Sequence, residues 1–256
     1  MLQTGTLDMT YPSSSATTGY VQALSAFDLP FLLPSREAAI AVMQSDVAQE
    51  MLDGFEGTGL KALTFSENGY RQLSNSARPV ETPEDVAGQD VRGLSVRTMQ
   101  NPVHLAIWEA LGANPTPMAF GELFSALEQG VVDGQENPIT VIVATNFWEV
   151  QDYLSLTGHV YSPAIVLGSP ILLDSLSEEE RDWFMQAAAA SVDATREEVS
   201  RLEREGVALL EANGMTVRTE IDPAPFQQAV EPAYEIFTSQ YGSDMLERIR
   251  EKAGNC

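Results

Sequence analysis

The chain has 256 residues, which is enough for one large domain or two small ones. Hydrophobic residues make up 44% of it, a fraction typical of a globular protein with a full core. Its charge is unusual, because 37 acidic residues outweigh 14 lysines and arginines and give a net charge of -23. Such a surface repels nucleic acids and anionic lipids, so both are poor partners. It also repels small anions at long range, so any anion site must be a local basic pocket.

Metal, disulfide and membrane-spanning features are not indicated by the residues. The one cysteine, Cys256, cannot form an internal disulfide. The two histidines, His104 and His159, form no spaced metal-binding cluster, and we expect them to have structural or capping roles. No apolar run approaches the roughly 20 residues of a membrane-spanning helix. We therefore expect no metal, no cofactor and no direct membrane insertion.

Up to residue 92, the sequence predicts short strands joined by turns and helices. The predicted strands cover residues 7–11, 60–66 and 70–74. A turn at Glu67-Asn68-Gly69 separates the last two. Ser35 is a predicted N-cap for a helix over residues 36–43. The small polar run from Ser13 to Thr18 could line a cleft, or it could form a solvated turn.

The most informative stretch covers residues 93–138. A short apolar strand over 94–99 leads to Asn101 and Pro102, an N-cap and first-turn pair for a helix that Gly112 stops. A second helix is predicted over 122–129, and the turn Asp133-Gly134 then leads into Gln135-Glu136-Asn137-Pro138. Strands and helices thus deliver polar groups at loop ends, where open α/β sheets bind ligands.

Beyond residue 138 the pattern is mixed and ends in helices. The predicted elements are a helix over 139–147, strands over 154–159, 162–169 and 215–219, and two terminal helices over 223–254. The apolar run 164–167 is typical of a buried parallel strand. Ser177 and Glu180 form a capping box for a helix that runs to Asn213. At about 35 residues it is roughly 50 Å long, longer than one small domain is wide, so we expect it to span two lobes.

The segment PTPMAFGELFSALEQGVVDGQENP, with EVQDYLSLTGHVYSPAIVL and ENGYRQLSNSARPVETPEDV, closely resembles the substrate-binding proteins of tripartite ATP-independent periplasmic (TRAP) transporters, the DctP-like family. The resemblance covers essentially the whole chain. It implies a two-lobed α/β fold of the periplasmic-binding-protein type, with a long helix spanning both lobes. Lobe I would comprise residues 1–70 plus 158–200, and lobe II residues 71–157 plus 201–256.

Two segments depart from the family pattern. The opening residues, MLQTGTLDMTYPSSS, show neither the basic nor the apolar region of an export signal, and family members are longer here. The resemblance therefore predicts a chain that lacks the N-terminal part of lobe I, which would leave an unpaired strand edge. The segment DVAGQDVRGLSVR is several residues longer than in the family. Either Arg92 or Arg97 could therefore correspond to the arginine of the family motif. We choose Arg97, because Gly93 to Arg97 matches the family motif.

Arg97 is the sharpest candidate for a binding residue. A charged side chain inside an apolar strand is costly unless it is paired. A guanidinium presents a planar fork that binds a carboxylate with two hydrogen bonds, which lysine cannot do. On the residues alone, a structural salt bridge to one of the 37 acidic residues also explains Arg97. The resemblance implies the functional role, since the arginine of this motif clamps the ligand carboxylate in the family.

The resemblance implies three further ligand contacts, each with a plainer alternative. Asn137 is similar to a family asparagine that contacts the ligand, or it caps the helix beginning at residue 139. Arg71 is similar to a second family arginine near the cleft, or it is an exposed strand residue. Phe120 is similar to a family aromatic residue that packs on the ligand, or it belongs to the core.

The implied function is that of an extracytoplasmic, periplasmic solute-binding protein that captures a small organic acid. Its implied partners are that acid and the membrane permease subunits of a TRAP transporter. Sialic-acid-binding members carry an acidic residue near Ser13, where this chain has Pro12-Ser13-Ser14-Ser15, so that ligand is disfavoured.

Two other functions stay open on the residues. An enzyme acting on a carboxylate could use the arginines as a clamp and Glu122 or Glu136 as acid or base. The sequence contains no Gly-x-Ser-x-Gly elbow, no P-loop and no Gly-x-Gly-x-x-Gly motif, so we expect a binding protein and not an enzyme. A ligand-responsive sensor or structural module is the third alternative.

Overall fold

The computed structural model describes residues 1–88 and 93–254, so Arg92 and Cys256 lie outside the described residues. Within those ranges the strands are β1 (Met9–Thr10), β2 (Lys61–Asn75), β3 (Ser95–Thr98), β4 (Asn114–Pro117), β5 (Gly134–Pro138), β6 (Tyr153–Gly168) and β7 (Thr216–Arg218). The α-helices are α1 (Arg36–Met43), α2 (Asp46–Asp53), α3 (Pro83–Ala87), α4 (Pro102–Ala110), α5 (Phe120–Glu128), α6 (Ile139–Ala144), α7 (Pro170–Ser175), α8 (Glu178–Ala212), α9 (Pro223–Ala229), α10 (Pro232–Tyr241) and α11 (Asp244–Gly254). Short 3₁₀ helices cover Leu2–Thr4, Ser14–Thr17, Gln22–Asp28 and Phe147–Glu149.

Two long antiparallel strands, β2 and β6, run through the whole of one mixed sheet. The strand order is β1-β6-β2-β5-β3-β4, and β7 also pairs with β6. β1 pairs with the Gly168 end of β6, whereas β7 pairs with its Tyr153 end. β3 is parallel to both β4 and β5. The sheet therefore has two halves that share the long strands, in agreement with the predicted α/β fold.

The prediction that β2 and β6 are each two shorter strands is wrong. The expected turn at Glu67-Asn68-Gly69 lies inside β2, where the pairing with β6 shifts register between Glu67 and Gly69. Such a bulge bends a strand without reversing it. The buried Glu67 carboxylate is bound by Arg36 and Arg196 at 2.6 and 3.0 Å. Its polarity therefore reflects an internal ion pair and not a solvated turn.

The apolar run 164–167 is also not parallel to its neighbour. It pairs antiparallel with β2, and its end pairs antiparallel with β1. All four residues are at most 2% exposed. A strand buried on both faces has a continuous apolar sequence whichever way its neighbours run, so this pattern indicated burial and not direction.

Several element bounds differ from the sequence prediction. α6 ends at Ala144, short of the expected Phe147, and α5 starts at Phe120, before the expected residue 122. Within the described residues the C-terminal region forms three helices, α9 to α11, instead of two. β4 was not predicted because Asn-Pro-Thr-Pro contains two prolines, and strands tolerate proline only at a sheet edge, where β4 lies.

The predicted long helix is confirmed as α8, with 35 residues. The hydroxyl of Ser177 accepts from the backbone N–H of Glu180 at 3.3 Å, and the Glu180 carboxylate accepts from the backbone N–H of Ser177 at 2.9 Å. The middle of α8 contacts β2 through Arg196, and its C-terminal part packs on α6. The helix therefore connects both halves of the sheet. In the described part of the chain, no helix is both long and apolar enough to cross a bilayer.

Two hydrophobic cores lie against the sheet. The larger one contains Phe27, Phe65, Trp108 and Phe237, and the smaller one is built around Leu123, Ile142, Phe147 and Leu210. The larger core joins segments that the sequence assigns to both lobes. The lobe boundaries given above therefore stay a prediction.

Candidate ligand-binding cleft

A cavity of about 730 Å³ opens where three strands end. The segments that follow β3, β4 and β5 line one side, at the carboxyl ends where parallel sheets bind ligands. The polar loop between Tyr11 and Gly19 lines the other side. The run from Ser13 to Thr18 therefore lines a cleft and is not merely a solvated turn. β2 contributes Asn68 and Arg71 between the two sides. The cleft therefore lies between the two halves of the sheet.

All four candidate residues line this cleft: Arg71, Arg97, Phe120 and Asn137. The sequence separates them by up to 66 positions, and the fold brings them together. Their place in one cavity does not itself test ligand binding, so that role stays a prediction. The hydrogen bonds and ion pairs that each side chain already makes determine which of its groups are available to a ligand.

Arg97 is buried but is not neutralised by a carboxylate. It is 3% exposed, and its Nε and Nη2 donate to the carbonyl oxygen of Met118 at 3.0 and 2.7 Å. Among the described residues, no acidic side chain forms an ion pair with it. The structural salt bridge considered as an alternative is therefore not what the structure shows. Burial, aided by repulsion from Arg71 and opposed by attraction to Glu136, lowers the pKa of Arg97 to about 10.

Arg71 is paired, in contrast to Arg97. Its Nη2 lies 2.9 Å from Oε1 of Glu136, and its Nε donates to Oε2 of the same carboxylate. The remaining Nη1 reaches Ser162 at 3.4 Å. Arg71 is 1% exposed, so the alternative of an exposed strand residue is wrong. Its charge is already matched inside the protein.

The side chain of Asn137, on β5, is held by one hydrogen bond from β2 and one within its own strand. Its Oδ1 accepts from Nη2 of Arg71 at 3.1 Å, and its Nδ2 donates to Oε1 of Gln135 at 2.5 Å. It does not cap α6, since the N-cap position is Pro138. An amide nitrogen has two hydrogens, so one remains to donate toward the cleft.

Phe120 lies at the mouth of the cleft and not in the core. Its side chain is 48% exposed. The ring packs edge-on against Phe147, with 6.2 Å between the centroids, and the guanidinium carbon of Arg97 lies 5.9 Å from its centre. The position offers an apolar surface next to the arginine.

A buried polar network adjoins the cleft, and its connections were not predicted. His104 Nε2 lies 3.2 Å from Oδ1 of Asp28, and its Nδ1 lies 3.5 Å from Oε1 of Glu136. His159 Nε2 lies 3.2 Å from Oε2 of Glu136. Ser15, which lines the cleft, donates to Asp28. The network therefore joins the loop on one side of the cleft to β5 on the other.

The charges in this network are set by burial and mutual contact. Burial would lower the pKa of His104, but Glu136 and Asp28 outweigh it and raise that pKa to about 9. Burial would raise the pKa of Glu136, but Arg71 and His104 hold it well below its usual value. Burial lowers the pKa of His159 despite the neighbouring Glu136. His104 is thus protonated and His159 neutral at pH 7, and both side chains are buried within the network.

The chain matches the family model of bacterial extracellular solute-binding proteins, family 7 (DctP), over residues 1–240. It belongs to this family. A solute-binding protein of Verminephrobacter eiseniae is 44% identical over 97% of the chain and 73% of its own length. The 2,3-diketo-L-gulonate-binding periplasmic protein of Escherichia coli is 33% identical over 96% of the chain and 75% of its own length.

A solved relative has the same fold as this DctP-family chain. The TRAP periplasmic solute-binding protein of Polaromonas sp. JS666, in complex with D-erythronate, matches with a TM-score of 0.91 and 41% identity. The match covers 97% of this chain and 80% of that one. The predicted family and its solute-binding role are confirmed.

The two carboxylates considered for catalysis lie elsewhere in this DctP-family fold. Glu136 is fully buried and paired with Arg71, and Glu122 is exposed in the first turn of α5. Within the described residues, neither lines the cleft. Family members are solute-binding proteins.

Proposed function

We propose that this protein binds a small organic acid in the cleft and that Arg97 binds its carboxylate. One observation carries the proposal: of the two arginines that line the cleft, Arg97 is the one that no described carboxylate neutralises. A buried cation bound only to a carbonyl oxygen gains strongly from an anion. Each charge-assisted hydrogen bond contributes about 1.5–3 kcal/mol.

The other three candidate residues complete the proposed site. Asn137 donates its remaining N–H to a ligand oxygen, and Phe120 covers an apolar part of the ligand. Arg71 lines the cleft and donates to Oδ1 of Asn137, which orients that amide, while Glu136 neutralises the charge of Arg71. Ligand contacts on both sides of the cleft favour closure of the two halves around it.

The relatives support an organic acid as the ligand. The Polaromonas protein holds D-erythronate, and the Escherichia coli protein is named for 2,3-diketo-L-gulonate. Both compounds are carboxylates. From family membership we further infer a periplasmic location, delivery of the acid to the membrane permease subunits of a TRAP transporter, and binding without turnover.

Calorimetric titration with D-erythronate, D-galactonate and 2,3-diketo-L-gulonate tests the proposal. We expect Arg97→Lys to weaken binding by about a hundredfold, because lysine cannot supply the two parallel hydrogen bonds. The matched control is Arg201→Lys, an exposed arginine on α8 paired with Glu198 and Glu205, which should leave affinity unchanged. Equal affinity of Arg97→Lys and wild type would refute the assignment. Conversion of the acid, followed by proton NMR, would favour the enzyme alternative.

A further inference from the structure

Four hydroxyl groups that line the cleft are already committed as donors. They belong to Ser15, Thr18, Thr140 and Thr145. Ser15 donates to the Asp28 carboxylate, and Thr18 donates to the backbone carbonyl of Ser15 at 3.1 Å. Thr140 donates to the carbonyl of Asn68 at 2.8 Å, and Thr145 donates to the carbonyl of Val141 at 2.7 Å. Ser15 and Thr18 lie on one side of the cleft, whereas Thr140 on α6 and Thr145 at the C-cap of α6 lie across it.

A committed hydroxyl can offer a ligand only its lone pairs. A serine or threonine hydroxyl has one hydrogen and two acceptor sites. An ionised carboxylate has no hydrogen to donate, so it cannot bond to such a group. A ligand hydroxyl can donate to it. These four groups therefore match ligand hydroxyls and not a second carboxylate.

The charges of the cleft also favour a ligand with one carboxylate over a ligand with two. Arg71 is neutralised by Glu136, which leaves Arg97 for one carboxylate. Among the described residues, the lining contains no lysine and no third arginine. A second ligand carboxylate would lose its hydration without gaining a cation. The net charge of -23 also repels a dianion more strongly than a monoanion.

The lining also excludes a cationic group on the ligand. No aspartate or glutamate lines the cleft in the described part of the chain. The side-chain amides of Asn68 and Gln100 line it, and an amide can donate to a hydroxyl or accept from one. A neutral, hydroxyl-bearing chain satisfies both the amides and the committed hydroxyls.

We propose that the ligand is a hydroxylated monocarboxylate of the aldonate class and that dicarboxylates bind poorly. The single carboxylate binds Arg97. The ligand hydroxyls donate to Thr140 and Thr145 on one side of the cleft and to Ser15 and Thr18 on the other. This inference rests on the proposed function, because it requires Arg97 to be the anion site.

Titration of the protein with D-erythronate, D-galactonate, succinate and butyrate tests the ligand class. At least one aldonate should bind about thirtyfold or more tightly than both succinate and butyrate, from two or more hydroxyl contacts. Succinate binding as tightly as the better aldonate, with both weakened in Arg97→Lys, would overturn the ligand class and leave the proposed function standing. Butyrate equal to the aldonates would overturn the role of the hydroxyls. Binding of none of the four acids would overturn the proposed function as well.

Threonine variants test the hydroxyl contacts themselves. Thr145→Val keeps the side-chain shape and removes the oxygen, so we expect about a fivefold loss of affinity for the bound aldonate. Thr145→Ser keeps the oxygen and should retain wild-type affinity. Butyrate affinity should be the same in wild type and both variants. Unchanged aldonate affinity in both Thr145→Val and Thr140→Val would overturn the proposed contacts.

Discussion

Arg71 and Glu136 form a two-pronged ion pair beside the cleft, and both side chains are at most 1% exposed. Nη2 of Arg71 lies 2.9 Å from Oε1 of Glu136, and Nε bonds to Oε2. Because this carboxylate satisfies Arg71, the unneutralised positive charge of the cleft lies on Arg97. The pair thus determines which arginine is available to an anion.

Replacing Glu136 should destabilise the fold strongly. In Glu136→Gln, the Arg71 guanidinium keeps its charge in a buried place without a counter-charge. Loss of one partner of a buried pair costs about 3–5 kcal/mol. The free energy of unfolding in urea measures this effect.

A carboxylate paired on the surface provides the control for that variant. Glu205 pairs with Arg201 at 2.9 Å, and its side chain is 59% exposed. We expect Glu205→Gln to change the unfolding free energy by less than about 1 kcal/mol. Similar losses for the two variants would contradict the idea that burial of the Arg71 pair dominates.

His104 should make stability fall at alkaline pH. Its pKa is raised to about 9 from an ordinary 6.5, mainly because Glu136 and Asp28 outweigh the cost of burial. The protonated form stabilises the fold fully below pH 6.5, and this contribution of about 3 kcal/mol is lost as the pH rises through 9. Urea unfolding at about pH 6.5 and 9 should show the loss, and His104→Gln should reduce it.

His159 should produce the opposite slope on the acid side. Burial lowers the pKa of His159 below 6.5. As the pH falls below 6.5, His159 therefore binds a proton more readily in the unfolded chain than in the folded protein. Stability therefore falls as the pH drops below 6.5, and His159→Gln should lessen that fall. The summed contribution of these two histidines to stability is therefore greatest close to pH 6.5. A wild-type profile unchanged by either substitution would contradict this assignment.

Phe120 should contribute to affinity and hardly to stability. The ring is 48% exposed and lies beside Arg97, so we expect Phe120→Ala to weaken organic-acid binding by about tenfold. The free energy of unfolding of Phe120→Ala should differ from that of the wild type by less than about 1 kcal/mol. Trp183→Ala removes another exposed aromatic side chain, 59% exposed on α8 and outside the cleft, and should leave binding unchanged. Calorimetry that shows equal affinity for both variants would argue against a ligand contact.

Gly206 allows α8 to pack closely on α6. A Cβ at this position would lie 2.4 Å from Cγ2 of Ile139, so Gly206→Ala should destabilise the protein by about 1–3 kcal/mol. In an exposed helix the same change would stabilise by about 1 kcal/mol. Gly121→Ala in α5 has no atom within 4 Å of the added Cβ and is the helical control. Thermal unfolding in which Gly206→Ala is the more stable variant would contradict the close packing.

Helix starts were predictable because their signals are local. Ser35, Asn101 and Ser177 each accept from a backbone N–H within the next three residues, as the sequence indicated. The continuity of β2 and β6 was not predictable, because it depends on pairing between residues about ninety positions apart. Glu67 looked like part of a turn since the arginines that bind it, Arg36 and Arg196, are distant in sequence.

The candidate site was predictable only to the extent that one motif carried it. Arg97 stood out as a charge within an apolar strand, and the family resemblance indicated its role. The network of Asp28, His104, Glu136 and His159 gave no such signal, because its members come from four separate elements. That Arg71 is neutralised and Arg97 is not follows only from three-dimensional contacts.

The most direct test of this account is a crystal structure of the protein with bound D-erythronate. We predict the ligand carboxylate about 2.8 Å from two nitrogens of Arg97, with the Arg71–Glu136 pair intact. A carboxylate bound elsewhere in the cleft, with Arg97 still bonded only to the Met118 carbonyl, would contradict it.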